Sequence, residues 1–220
     1  MVKKKLVIVE SAGKISKLKS CLGSEYEIMA SCGHVMDLRN DCLGIDVKNG
    51  FKMDYEISKD KKDIVSKLKK AAINSSEVYL AMDGDREGEG IAWCLANVLK
   101  LKNPKRVKFY SVTKKEVLRA ISSTTKINMS LVDAYKTRRC LDKLVGYSVS
   151  PLLWQNIEGA LSAGRVQSVA AKIIIDRDKE IEEFFERGDE SFFKFNGKFT
   201  YKEQESNADL YTTEKEQDIK

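Results

Sequence analysis

Short, wholly apolar runs alternate along this chain with stripes at helical spacing, and that alternation constrains the fold more than any other feature. Lys5–Val9 reads as a buried strand, followed by the small-residue turn Glu10-Ser11-Ala12-Gly13 and a helical stripe at Ile15, Leu18 and Leu22. Residues 26–57 mix short strand-like pieces with turns at Gly33, Gly44 and Asn49-Gly50. Ile64, Val65, Leu68, Ala71 and Ala72 mark a Lys-rich helix, Val78–Met82 a second buried strand, and Ile91, Leu95, Val98 and Leu99 the helix after it. Val107–Val112 reads as a further strand, and Thr113 with Glu116 suits a capping box opening another helix. Strands alternating with helices predict a mostly parallel sheet covered on both faces, an α/β fold.

Near residue 125 the period changes. Residues 130–143 and 165–184 are helical without intervening strands, with Val166, Val169, Ala170, Ile173, Ile181 and Phe184 on one stripe. Pro151 and Gly159 are expected to punctuate the link between these helices. Residues 192–201 read as strand, broken at Asn196-Gly197, and give way to an acidic tail. The expected division is 1–128, an α/β domain; 129–187, an all-α segment; and 188–220, the start of an incomplete β-rich domain.

Charge adds a partner class. The chain carries +6, from 39 basic and 33 acidic residues. Residues 203–220 hold six acids against Lys215 and Lys220, so the preceding 202 residues carry +10. A basic body suits a polyanion such as nucleic acid. The Lys59–Lys70 run reads more simply as a solvated helix face. No apolar run approaches the length of a membrane span, and the Lys3-Lys4-Lys5 start lacks a signal-peptide core. Five scattered cysteines without a CxxC pair read as reduced, buried thiols of an intracellular protein, with no zinc site.

Asp83-Gly84-Asp85-Arg86-Glu87 follows the strand ending at Met82. Were it extended, alternate residues would face one way and bring Asp83, Asp85 and Glu87 together. Glu10 holds the equivalent place after the first strand, and ligands of α/β sheets bind at such strand ends. If the two strands are neighbours, four carboxylates crowd one crevice and call for Mg²⁺, or for basic groups such as Lys14 and Arg86. The same acidic loop also suits plain capping of the following helix. A metal–carboxylate crevice on a basic protein points to phosphodiester chemistry.

These residues resemble the type IA DNA topoisomerases, the group of bacterial topoisomerase I. Leu6–Lys14, Ala30–Leu38 and Ala81–Glu89 look like that family's Toprim motifs. Residues 134–147 (with Arg138-Arg139-Cys140-Leu141-Asp142), Ser150–Trp154 and Leu161–Val169 look like the opening of its DNA-binding helical domain. The blocks follow the family's order from residue 5 to about 185, and together they are specific, whereas DxDxE alone also fits primases, gyrase-type enzymes and Toprim nucleases.

The resemblance implies a Rossmann-like Toprim domain, then an all-α DNA-binding segment. It implies a monomer acting on single-stranded DNA inside the cell, wherever the DNA lies, with Mg²⁺ as cofactor. Glu10, Asp83 and Asp85 would hold the metal; Glu10, Lys14, Asp83, Asp85, Glu87 and Arg165 would be catalytic. His34, Arg138, Arg139, Asp142, Tyr147, Trp154, Ser162, Ala163, Gly164, Arg165, Val166 and Gln167 would contact DNA. Plainer roles stay open for several: His34 as a structural histidine, Tyr147 and Trp154 as packing between helices, Arg138 and Asp142 as an i,i+4 surface pair.

The family usually has Pro where Ala12, Arg39 and Gly84 stand. Its nucleophilic tyrosine lies in a Tyr-x-Arg segment of a later domain, and none of the eight tyrosines here is followed two places on by Arg. The expectation is therefore the front portion of such an enzyme, inactive by itself. A non-catalytic Mg²⁺- and DNA-binding piece is the alternative, and a Toprim nuclease a third, which the Arg138 and Arg165 blocks argue against.

Overall fold

The computed structural model describes residues 3–159, 162–187, 195–202 and 204–209. In chain order its elements are β1 (Lys5–Val9), α1 (Ile15–Leu22), β2 (Tyr26–Ala30), the short strands β3 (Met36–Leu38), β4 (Ile45–Asp46), β5 (Lys52–Met53) and β6 (Tyr55–Ile57), and α2 (Lys62–Asn74). There follow β7 (Val78–Ala81), α3 (Arg86–Val98), β8 (Lys105–Arg106), α4 (Lys114–Ser122), α5 (Met129–Asn156), α6 (Arg165–Glu186), β9 (Asn196–Tyr201) and β10 (Gln204–Asp209).

The chain divides into two compact units, Met1–Arg165 and Val166–Lys220. In the first, strand alternation sorts the core onto two faces. Leu6, Ile8, Leu80 and Met82 pack with Val65 and Leu68 of α2 and Ile91, Leu95 and Val98 of α3. Val7, Val9, Tyr79 and Ala81 pack with Leu18 and Leu22 of α1 and Val117 and Ala120 of α4. Both sides of β1 and β7 are thus dry, which is why these strands read as continuous apolar runs. Their sheet is wholly parallel, in the order β2-β1-β7-β8. The chain leaves β1 for β2 on one side and later places β7 on the other, with Val9 opposite Ala81. The strand order therefore reverses between β1 and β7, and their C-terminal ends are where ligands of such sheets bind. Between β2 and α2, the antiparallel pairs β3–β6 and β4–β5 form a small elaboration. Leu38 and Ile45 from it pack with Cys140 of α5.

In the second unit, α6 keeps the expected helical period but buries nothing: Val166, Val169, Ile173 and Ile181 are all exposed. β9 and β10 pair antiparallel.

Several expectations need correcting. The third strand is only Lys105–Arg106, not Val107–Val112; the chain leaves the ladder once Val107 N–H has bonded to the Leu80 carbonyl. Pro151 does not end its helix: α5 runs on to Asn156. A proline in a helix removes one N–H bond and crowds one carbonyl, and here Ser150 beside it anchors the turn to Ala163. Asn196-Gly197 opens β9, and part of the expected tail forms β10; the strand expected before Asn196 falls largely on residues 192–194, which with the rest of 188–194, Leu161 and the rest of that tail lie outside the described residues. The cysteines are free, but only Cys94 and Cys140 are buried, while Cys32 and Cys42 are exposed. Among the described residues no helix is long and apolar enough to cross a membrane.

Candidate active site

Glu10 follows the end of β1 and Asp83 the end of β7, and the two strands are neighbours, with Val9 opposite Ala81. Lys14, in the 3-10 turn Ala12–Lys14 after β1, reaches across: its ammonium lies 2.5 Å from Asp83 Oδ1. Asp83 otherwise stays open, with 56% of its side chain exposed.

The extended DxDxE geometry does not form, because the helix begins too early for it. Arg86 is already the first residue of α3, and Asp85 is its N-cap, accepting the Gly88 N–H at 2.8 Å. This meets one of the unpaired donors of the helix start. Glu87 lies in the first turn and faces the other way. It pairs with Arg138 of α5 and lies 3.5 Å from His34 Nε2. Two glycines permit this compact turn. A Cβ on Gly88 would overlap the Asp83 carbonyl, and one on Gly90 would stand 2.5 Å from the Tyr135 ring, where α5 packs on α3.

α5 supplies the other wall. Arg138 bridges from Glu87 to Asp142 (3.7 Å), and Asp142 accepts Arg165 Nε at 3.0 Å. Four alternating charges thus link the β7 turn to the start of α6. The i,i+4 reading of Arg138 and Asp142 is correct as far as it goes, and each makes a second, longer-range pair. Arg139 binds Asp37. His34 stacks on Tyr135, with centroids 5.4 Å apart and planes 9° from parallel, and its Nδ1 lies 3.3 Å from the Tyr135 hydroxyl. Burial pushes the His34 pKa down, and the carboxylate of Glu87 opposes the shift. Burial also raises the Tyr135 phenol.

Tyr147 carries the Lys143 ammonium over its ring, 5.1 Å from the centroid, and its hydroxyl donates to the Asn40 carbonyl at 3.4 Å. Trp154, near the end of α5, is exposed. Ser162–Gly164 lead into α6; Ala163 is buried, its N–H held by Ser150 Oγ at 3.0 Å. Val166 and Gln167 stand in the first turn of α6, in the second unit.

Four further residues shape the site without having been singled out: Asp37, Glu89, Arg106 and Ser150. Glu89 and Arg106 are both fully buried. A Glu within an otherwise apolar stretch of α3, and an Arg at the opening of a strand, were the available signals.

The donor set, carboxylate oxygens at two adjacent strand ends, fits a hard divalent cation in type and charge. Protein cations occupy those acids instead: Lys14 on Asp83 and Arg138 on Glu87. Among the described residues no three acid, imidazole or thiol side chains are drawn together as a metal-holding group.

A parallel sheet with acids at its reversal point is the arrangement of a Toprim domain, and a Toprim-domain family model matches residues 5–112. A second family model, described as DNA topoisomerase, matches residues 126–220. The chain is 48% identical over 195 residues to a prokaryotic-type DNA topoisomerase 1 of Acanthamoeba polyphaga mimivirus, covering 88% of this chain and 23% of that protein. It superposes on full-length topoisomerase I from Thermotoga maritima with a TM-score of 0.72 at 36% identity, over 96% of this chain and 35% of that one. The chain belongs to the type IA DNA topoisomerase family, and it spans about a quarter to a third of the length of these relatives.

Proposed function

We propose that residues 1–220 form the front portion of an enzyme that transiently cleaves and rejoins one DNA strand and so relaxes negative supercoils. In this reading residues 1–128 are the Toprim domain, 129–187 begin a helical DNA-binding domain, and 188–220 begin a third. A tyrosine outside these residues attacks the phosphodiester. The phenol gives up its proton as the new bond joins its oxygen to the 5′-phosphate, and the bond to the 3′-oxygen breaks. Bond energy is kept in the ester, so resealing needs no nucleotide. Glu10 delivers the proton to the leaving 3′-oxygen. Lys14 and Arg165 stabilise charge on the phosphorus centre. Glu10, Asp83 and Asp85 would hold Mg²⁺, with Glu87 assisting; when bound, the ion neutralises phosphate charge.

Arg138, Arg139, Asp142, His34, Tyr147 and Trp154 line the path of a single strand, the arginines on phosphates and the aromatics on bases. Ser162–Gln167 bring backbone N–H groups and a helix start to a phosphate. The protein works as a monomer in the compartment that holds its DNA. The observation that supports this best is the charge chain Glu87–Arg138–Asp142–Arg165, which ties the carboxylate turn to the helices that would carry the strand.

A supercoil-relaxation gel with residues 1–220 and Mg²⁺ should show no relaxed ladder. In a longer protein that contains the tyrosine, Glu10→Ala and Arg165→Ala should each suppress the covalent DNA adduct. Normal adduct formation by both variants would remove the assigned roles. A second reading is a Mg²⁺- and single-strand-binding protein that cuts nothing. It predicts that adding the tyrosine-bearing domains restores no cleavage.

A further inference from the structure

Glu89 and Arg106 touch no surface, since both are fully buried. A buried ion pair is an expensive way to fill a core, because apolar residues of equal volume are often as stable. Its contacts say what it holds. Arg106, on the edge strand β8, reaches across the end of β7. Its Nη1 donates among the carbonyl oxygens of Leu80 (3.2 Å), Met82 (2.6 Å) and Val107 (2.6 Å), and its Nη2 to that of Asp83. Met82 and Asp83 lie past the end of β7, so their carbonyls have left the sheet ladder and the guanidinium takes its place.

Glu89 grips from the opposite side. Its Oε1 accepts from Arg106 Nε at 3.2 Å and Lys108 Nζ at 2.6 Å, and its Oε2 accepts the Asn128 N–H at 3.0 Å. Asn128 is the N-cap of α5. One carboxylate therefore ties the carboxylate turn to the start of the helix that carries Arg138, Arg139 and Asp142. Burial lowers the arginine's pKa and Glu89 opposes that, and an arginine keeps its charge under such conditions.

We propose that Glu89 and Arg106 are a positioning pair: they fix the backbone from which Asp83 and Asp85 present oxygens to a divalent cation, and hold that turn in register with α5. This rests on the metal reading of the carboxylates above. The fork of Arg106 sets two successive carbonyls at once, which neither a lysine nor an apolar residue can do.

The test uses the full 220-residue chain with Mn²⁺ as probe, the free ion being counted by its EPR signal. The proteins are wild type, Asp83→Asn, Arg106→Lys and the double variant Glu89→Gln/Arg106→Met. The double variant leaves neither member of the pair as a lone buried charge, and the amide oxygen at position 89 can still accept the Asn128 N–H. It should unfold well above the assay temperature and yet bind Mn²⁺ about tenfold or more weakly, the loss typical when groups supporting metal ligands are removed. Arg106→Lys should fall between it and wild type. A folded double variant that binds Mn²⁺ as tightly as wild type overturns the proposal. If the double variant does not fold, Arg106→Lys is judged by the same criterion.

Asp83→Asn separates this idea from its parent. If it binds Mn²⁺ like wild type, or wild type binds none, the metal reading fails on its own. Hydrogen exchange then decides the positioning claim: faster exchange at residues 82–88 with β1 unchanged supports it, and unchanged exchange in that turn overturns it.

Discussion

The turns that follow β1 and β7 reach the same crevice by different means. The β7 turn is held from beneath: the carbonyls of Met82 and Asp83 meet Arg106, Gly88 lets the backbone fold tightly onto the start of α3, and Asp85 caps that helix. The β1 turn is held more lightly. The Ser11 hydroxyl accepts the Gly13 N–H at 3.4 Å, the Glu10 carbonyl accepts from Gly33 N–H at 3.2 Å, and Lys14 reaches over to Asp83. One turn is seated on a buried guanidinium with little room for substitution, and the other is held by exposed contacts.

The sharpest way to break the contrast is to remove the support of the β7 turn. Arg106→Ala leaves buried Glu89 with only the Lys108 ammonium and the Asn128 N–H, and frees the carbonyls of Met82 and Asp83. It should cost about 3–5 kcal/mol in urea unfolding, whereas Glu10→Gln should stay within about 0.5 kcal/mol. Equal losses would abolish the distinction. A smaller effect is expected from Gly88→Ala, whose methyl meets the Asp83 carbonyl. The turn must shift, costing about 1–3 kcal/mol as for other overpacked sites, and Mn²⁺ affinity should fall with it; a neutral result would mean that the turn is not tightly seated.

The smallest effect is one of pH. His34 has a folded pKa below its ordinary value of 6.5. The unfolded chain then binds the extra proton more readily, so stability is full above about 6.5 and declines as pH falls from there to the lowered folded value. His34→Gln should flatten that part of the stability–pH curve. A slope that survives the substitution would assign it to another group.

Much of this was legible in the sequence, and the rest was not for definable reasons. β1 and β7 could be read because both their faces are buried, which leaves a continuous apolar run. The placing of Glu10 and Asp83 after neighbouring strands is legible for the same reason, since β1 and β7 pair directly. The convergence of Asp83, Asp85 and Glu87 by strand alternation did not follow, because Asp85 is a better helix cap than strand residue and α3 starts at Arg86. Pro151 alone does not show where its helix ends, since the helix runs on to Asn156 with Ser150 beside the proline bonded to Ala163. The apolar stripe of α6 shows the reverse case: its period is correct, yet period alone does not bury a helix. Glu89 and Arg106 stayed hidden because a long-range buried pair leaves no mark at short spacing, being 17 residues apart in the chain.

The central claim is that one basic, acid-lined crevice receives a single DNA strand. Fluorescence anisotropy of a labelled single-stranded oligonucleotide, titrated with the full chain in Mg²⁺, tests it most directly. Binding should weaken with salt, be displaced poorly by a duplex competitor, and fall about tenfold in Arg138→Ala and in Arg165→Ala, the scale of one charged hydrogen bond. Absence of binding, or equal binding by wild type and both variants, would contradict it.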